Sequence, residues 1–182
     1  NVRRVAATCI CVLMLLPAGA CKKKGKNALD EQRFSEEVLW DRADKAIADD
    51  DQKDAIRTLK LLLDQYPTGK RVKEAHLRYA DALYLKGSDA NLIKAQAKYL
   101  SYLSFYPEDE KADFAQLRVA LCNYGRRGRS DRDQAVTRDA INELEKLLQS
   151  YPKTGYADDA RGYLRELKDE LAGHEHVVAR FY

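Results

Sequence analysis

Three copies of one helical pattern, each ending in Tyr-Pro, constrain the fold of this chain more than any other feature. The pairs Tyr66-Pro67, Tyr106-Pro107 and Tyr151-Pro152 recur at spacings of 40 and then 45 residues. Each copy has an alanine twelve residues before its proline and a large residue eight before it: Ala55 and Leu59, Ala95 and Tyr99, Ala140 and Leu144. Such a period predicts stacked helical hairpins, because one hairpin cannot bury its apolar face alone.

The composition also favours a helical protein. Of the 182 residues, 45% are hydrophobic and 34% are charged, whereas only four are proline and nine are glycine. This mixture is typical of an all-helical body. The net charge of +3 falls to +1 without Arg3 and Arg4, which lie in a segment that we expect to be removed. The charge balance therefore gives no reason to expect nucleic acid as a partner.

The arrangement of small residues, aromatics and prolines resembles the tetratricopeptide repeat. The first hairpin has Ala43, Ala55, Tyr66 and Pro67 at the matching places, and the second has Ala80, Gly87, Ala95, Tyr106 and Pro107. Ser35, with acidic residues after it, predicts the start of the first helix. The resemblance implies an all-α fold, a tetratricopeptide-like right-handed superhelix of stacked antiparallel helix hairpins, which we assign to residues 34–182.

The N-terminal segment is predicted to be a secretory signal. Arg3 and Arg4 precede an apolar run from Val5 to Leu16, which is shorter than the roughly 20 residues that span a bilayer. Ala-Gly-Ala followed by Cys21 resembles the cleavage site of bacterial lipoproteins, in which the cysteine is acylated. We therefore assign residues 1–20 to a lipoprotein signal peptide and lipidation to Cys21; ordinary cleavage without lipidation is the alternative.

Residues 21–33 are predicted to be a lipidated flexible tether, since they are polar and contain glycine. Two or three acyl chains on Cys21 would hold the protein firmly at a membrane. By resemblance to lipoproteins, Lys22 in place of an aspartate implies delivery to the outer membrane. The lysines of this tether could contact anionic headgroups, or they could simply be solvated.

The sequence offers no constellation for catalysis or metal binding. His174 and His176 are two residues apart, so they point to different sides of a helix. His76 lies on a stripe that we expect to face the core, and Cys122 is expected to be a small buried hydrophobe. Glycine-rich phosphate loops and paired zinc-binding cysteines are absent from the sequence. We therefore predict a protein that is not an enzyme and that uses no cofactor or metal.

A groove for peptides or partner proteins is predicted on the first helices of the hairpins. In tetratricopeptide proteins these helices line the concave surface. By that register Trp40, Asp44, Leu77, Asp81 and Tyr84 would face the groove. Trp40 has a second interpretation, because a tryptophan in the first hairpin could instead seal the end of the stack.

The connection before the third Tyr-Pro helix is predicted to be a partner-docking loop. It contains the basic residues Arg126, Arg127 and Arg129, followed by Ser130, Asp131, Arg132 and Asp133. The arginines could meet an acidic surface of a partner, or they could form a solvated turn.

The Ser-Asp-Arg-Asp string at 130–133, the Leu-x-Asn at 121–123, Tyr156-Ala157-x-x-Ala160 and the segment 171–182 together resemble the BamD family, also called ComL or YfiO. Its members are tetratricopeptide lipoproteins of the outer-membrane β-barrel assembly machine. The resemblance implies a periplasmic scaffold, lipid-anchored to the outer membrane, that aids the folding and insertion of outer-membrane proteins. Family members continue well past the Phe-Tyr pair, so we expect the C-terminal repeats to be truncated at Tyr182.

The partners implied by this resemblance are the periplasmic domains of BamA, the other assembly-machine lipoproteins and unfolded outer-membrane protein precursors. The N-terminal half would receive the precursor, and the C-terminal repeats would dock BamA. The alternative is a tetratricopeptide lipoprotein scaffold that coordinates cell-wall synthesis or envelope constriction. Such proteins share the Tyr-Pro repeats but lack the Ser-Asp-Arg-Asp loop, so residues 130–133 favour the first hypothesis.

Overall fold

The computed structural model describes residues 33–127 and 134–180, except for the side chain of Val177. The predicted signal peptide, Cys21 and most of the predicted tether lie outside these residues. So do Arg129, Ser130, Asp131, Arg132 and Asp133 of the predicted docking loop. The described residues belong to one compact unit that begins at Arg33.

The described parts of the chain form seven α-helices and no strand. These are α1 (Glu36–Ala48), α2 (Gln52–Gln65), α3 (Val72–Lys86), α4 (Asp89–Phe105), α5 (Ala112–Arg126), α6 (Ala135–Ser150) and α7 (Ala157–Ala179). Each helix packs mainly against its neighbours in the chain. Because the described connections are short, consecutive helices run antiparallel. The predicted all-α fold of tetratricopeptide-like hairpins is confirmed.

The three Tyr-Pro pairs end α2, α4 and α6 in the same backbone conformation. The φ and ψ angles are −129° and 62° at Tyr66, −134° and 58° at Tyr106, and −126° and 67° at Tyr151. Each tyrosine N–H still donates to the carbonyl four residues earlier. The proline that follows has no N–H to continue this ladder, so each helix stops there.

The conserved spacing within the three copies marks the centre of the core. The three alanines and the three large residues predicted from the repeat are all fully buried: Ala55, Ala95, Ala140, Leu59, Tyr99 and Leu144. Alanine allows two helix backbones to approach closely, and the large residue fills the space beside it. The repeat is therefore a packing pattern, and the buried residues of successive hairpins form three apolar clusters along the stack.

Local capping sets where the first two helices begin. The Oγ of Ser35 accepts a hydrogen bond from the N–H of Val38 at 3.3 Å, as expected for the predicted cap. The Oδ1 of Asp51 accepts from the N–H groups of Lys53 and Asp54 at 3.1 and 3.0 Å. These acceptors satisfy amides that have no partner within the helix.

Hydrogen bonds between hairpins fix how the stack continues. A side-chain oxygen of Glu36, at the start of α1, accepts from the N–H of Arg71 at 2.9 Å. Asp109, which precedes α5, pairs with Lys73 of α3 and accepts from the hydroxyl of Tyr102 at 2.6 Å. In both cases a polar contact joins the first helix of a hairpin to the connection that follows the same hairpin.

Two single-residue expectations have different outcomes. Cys122 is fully buried, as predicted, and burial raises the pKa of its thiol to about 12. His76 is only half-buried, because it lies beside the exposed ring of Phe105, 6.4 Å away at the end of α4. Among the described helices, none combines the length and the apolar character needed to cross a membrane.

Candidate functional site

Charged side chains link the first helices of the three hairpins, α1, α3 and α5, along one face. Arg78 of α3 pairs with Asp44 of α1 and with Glu74, whose Oε1 is 2.8 Å from its Nη2. Arg118 of α5 approaches Asp81 of α3, with 4.0 Å between Nε and Oδ1. These residues define an inner face on which basic and acidic groups alternate.

A cleft of about 340 Å³ opens on this inner face beside the α1–α2 hairpin. Apolar and charged side chains line it together: Ile47, Gln52, Arg78, Asp81, Ala82, Leu85 and Arg118. Leu85 is well exposed. A cleft with both apolar surface and fixed charges suits an extended peptide, whose side chains and backbone need both kinds of contact.

Arg118 lies in this cleft between two aromatic rings. Its guanidinium carbon lies 4.5 Å from the centre of the Tyr84 ring and 4.9 Å from the centre of the Phe114 ring. Its Nε is buried and has no hydrogen-bond partner within the described residues. The two rings orient the planar group, so its donors are prepared for a carboxylate or a carbonyl.

Asp81 is held beneath Arg118 by a buried tyrosine. The hydroxyl of Tyr99 donates to Oδ1 of Asp81 at 2.5 Å. Burial raises the pKa of Asp81, and the bond from Tyr99 and the charge of Arg118 oppose that rise. Burial, followed by the charge of Asp81, raises the pKa of Tyr99, which therefore stays a hydrogen-bond donor at physiological pH. The floor of the cleft is an acidic group with a fixed partner.

The structure separates the five predicted groove residues into two groups. Asp44, Asp81 and Tyr84 are partly exposed on the inner face, whereas Trp40 and Leu77 are buried in the core. The Trp40 ring is covered by the guanidinium groups of Arg71 and Arg78, whose carbons lie 4.7 and 4.3 Å from its centre. The accessible part of the predicted groove is therefore the part next to Arg118.

Sequence reasoning missed Arg78 and Arg118, although a signal for them existed. The two arginines are 40 residues apart, the spacing of the first two Tyr-Pro pairs. They hold equivalent places on α3 and α5. Applying the 40-residue spacing to the first helices of the hairpins as well would have identified the two arginines as equivalent positions.

In the predicted docking loop, the described arginines make contacts within the chain. Arg127 stacks 3.6 Å above the Tyr124 ring and binds Glu166 at 2.8 Å and Glu170 at 3.0 Å, which joins the end of α5 to α7. Arg126 lies 3.4 Å from a side-chain oxygen of Gln96. Arg127 thus serves to position α7, whatever else the loop does.

The family model for YfiO, described as an outer membrane lipoprotein, matches residues 32–182. The chain belongs to the YfiO family. This result confirms the resemblance that the sequence motifs suggested, and it associates the chain with the outer membrane.

Curated relatives of this YfiO-family chain carry the name outer membrane protein assembly factor BamD. The protein from Caulobacter vibrioides is 27% identical over 180 residues, which cover 98% of this chain and 58% of the relative. The protein from Neisseria gonorrhoeae is also 27% identical, over 92% of this chain and 66% of the relative. The one from Vibrio cholerae is 29% identical over 154 residues, covering 79% and 63%. The chain thus spans less than two thirds of these relatives.

Within the described parts of this YfiO-family chain, no group of three histidine, cysteine, aspartate or glutamate side chains could hold a metal ion. The inner face presents fixed guanidinium groups, carboxylates with partners, and aromatic rings.

Proposed function

We propose that this protein is a scaffold subunit of the β-barrel assembly machine, anchored through Cys21 on the periplasmic face of the outer membrane. It would aid the folding and insertion of outer-membrane proteins without catalysing a reaction. The names of its relatives support the process. The observation that carries the binding role is the inner-face cleft, in which the guanidinium group of Arg118 is held between two aromatic rings.

In this proposal the cleft receives an unfolded outer-membrane protein precursor as an extended segment. Arg118 would bind a carboxylate or backbone carbonyl of the segment, and Leu85 and Ile47 would contact its apolar side chains. Asp44, Asp81 and Tyr84 would line the same path. Trp40 and Leu77 would act from beneath, because they support the helices that carry these residues.

The other end of the stack would dock the periplasmic domains of BamA, and neighbouring assembly lipoproteins would bind elsewhere on the scaffold. Arg126, Arg127, Arg129, Ser130, Asp131, Arg132 and Asp133 are the proposed docking loop. Arg127 would contribute by fixing α7 beside the loop, through Glu166 and Glu170.

Depletion of the protein in its native host tests the role. Porin levels in the outer membrane should fall, and the wild-type gene should restore them. Arg118→Ala should restore them poorly. Arg161→Ala, at an exposed arginine of α7 that pairs with the neighbouring Asp158, is the matched control and should restore them fully. Unchanged porin levels on depletion would contradict the proposal, and so would capture of cell-wall synthases from membranes without a barrel protein.

A further inference from the structure

The outer face of α4 is uncharged at its centre. Ile93, Ala97, Leu100 and Ser104 follow one another at steps of four, three and four residues, so they form one stripe on the helix. All four are exposed, with 49% of Ile93 and 40% of Leu100 accessible. Isolated exposed apolar residues are ordinary, but a continuous stripe on one helix marks a contact surface.

The equivalent stripes on the other two second helices are polar or charged. On α2, which is offset from α4 by 40 residues, the same four positions are Lys53, Arg57, Lys60 and Asp64. On α6, which is offset by 45 residues, they are Arg138, Asn142, Glu145 and Gln149. Apart from the half-buried Arg57, the residues of all three stripes are exposed. The loss of charge is therefore specific to α4, and the repeat architecture does not require it.

Basic and aromatic side chains border this stripe. Lys94 and Lys98 are exposed along one edge, and Phe105, with 68% of its surface accessible, stands at the C-terminal end of α4. The only acidic residue of the helix is Asp89, in its first turn. An apolar stripe beside lysines and an aromatic ring has the features of a helix that lies in a membrane interface.

We propose that the outer face of α4 lies against an anionic phospholipid surface. Ile93 and Leu100 would enter the boundary between headgroups and acyl chains, and Lys94 and Lys98 would extend to the phosphates. The family description places the chain at a membrane, so such a surface is always near. The inference rests on that membrane association and is independent of the proposed assembly role.

Charge complementarity favours lipid over a protein as the occupant. Membranes present negative charge over a wide area, which suits two exposed lysines at the edge of an apolar stripe, one of which, Lys98, lies 5.7 Å from the centre of the Tyr79 ring. The hydroxyl of Ser104 is the one side-chain group of the four-residue stripe that can form a hydrogen bond, which gives a protein partner little to define its register. A fluid lipid surface requires no register.

The test compares two positions on the outer faces of α4 and α6. An environment-sensitive fluorophore is attached to Ile93→Cys, or to Asn142→Cys as the matched control, in the mature lipidated protein. Buried Cys122 does not compete, because its pKa is raised to about 12. The protein is reconstituted into vesicles of phosphatidylethanolamine and phosphatidylglycerol, or of phosphatidylcholine alone.

We expect a blue shift and quenching by nitroxide lipids for the probe at position 93, and neither at position 142. The response should be weaker in phosphatidylcholine. Leu100→Glu should reduce the membrane-contacting population about tenfold, because it removes one large apolar group from the contact. Lys94→Glu with Lys98→Glu should reduce the response only on the anionic vesicles. Circular dichroism checks that these surface variants stay folded.

Equal responses at positions 93 and 142 would overturn the proposal. It would equally be overturned if the probe at position 93 responded only after a purified barrel-assembly partner was added, since the occupant would then be a protein. Porin levels after depletion report on the assembly role alone, so the two proposals can fail separately.

Discussion

Arg78 and Arg118 hold equivalent positions in two successive hairpins, and the structure uses them differently. Arg78 forms ion pairs with Asp44 and Glu74 and covers Trp40. Its charge is therefore already paired within the chain, where it joins α1 to α3. Arg118 is oriented by two aromatic rings, and its Nε lies 4.0 Å from Asp81 without a hydrogen-bond partner in the described part of the chain. A repeat therefore assigns a place to a residue, and the neighbours decide whether that residue stabilises the fold or remains available for binding.

Both arginines are held in place by the packing of α3, α4 and α5. Among the variants considered, Tyr99→Ala should lower the free energy of unfolding most. Tyr99 is fully buried beneath α3 and α5. Truncating a large buried aromatic costs about 3–5 kcal/mol of unfolding free energy. Urea denaturation followed by circular dichroism measures the loss. Leu85→Ala, at an exposed position, should cost far less; a similar cost at both positions would argue against the described packing.

Tyr99→Phe keeps the ring and removes only the hydrogen bond to Asp81. The expected loss at neutral pH is about 1–2 kcal/mol, because a partly buried carboxylate loses its hydrogen-bond donor. Burial already raises the pKa of Asp81, and the variant should raise it further. Protonated Asp81 needs no donor, so the loss should shrink as the pH falls through the pKa of this carboxyl group. A loss that does not change with pH would contradict this account.

Arg118→Ala should affect binding more than stability. Charge-assisted hydrogen bonds to a ligand are worth about 1.5–3 kcal/mol, so affinity for an unfolded precursor segment should fall at least about tenfold. Fluorescence anisotropy with a labelled segment measures this change. Arg118→Lys is a useful second variant, since a lysine keeps the charge but not the planar group that stacks on Tyr84 and Phe114.

Arg78→Ala should show the opposite pattern. Its ion pairs with Asp44 and Glu74 are partly exposed, so their loss together with the stacking on Trp40 should cost about 1 kcal/mol of stability. Affinity for the same labelled segment should change less than with Arg118→Ala. Equal binding losses in the two variants would remove the distinction between the two arginines.

A loss of stability of about the same size is expected at Asp109, which connects the second and third hairpins. Burial opposes ionisation of Asp109, but hydrogen bonds from Lys73, Tyr102 and the N–H of Lys111 outweigh it and lower its pKa to about 2. The ionised group therefore stabilises the fold above its ordinary pKa, and this contribution disappears as the pH falls through about 2. Asp109→Asn should cost about 1 kcal/mol at neutral pH and less in acid, as followed by thermal unfolding.

The helices and their core-facing residues could be predicted because short stretches of sequence specify them and recur three times. Proline after a tyrosine ends a helix wherever it occurs, and the alanine and the large residue of each copy face the core because helical periodicity places them there. Trp40 shows the limit of this reasoning. Its pattern was compatible with a groove or with a sealed end, and only the positions of Arg71 and Arg78 place it beneath two guanidinium groups.

The candidate site was predicted less completely because its residues come from different hairpins. Asp81 and Tyr84 were assigned to the groove from register alone. Their contacts with Arg118 and Tyr99 depend on the distance and rotation between α3, α4 and α5. Likewise, the contacts of Arg127 with Glu166 and Glu170 join residues 39 and 43 positions apart. No local pattern encodes such a pair.

The sequence by itself determined the helices, the ends marked by Tyr-Pro, and the alanine and large residue of each copy that face the core, because hydrogen-bond geometry and side-chain periodicity act over a few residues. Its motifs also pointed to the family. Only the tertiary structure decided which charged groups form ion pairs within the stack of hairpins and which remain available to bind a partner. That outcome depends on how closely separate hairpins approach, because an arginine between two carboxylates and an arginine between two aromatic rings have the same local sequence requirements.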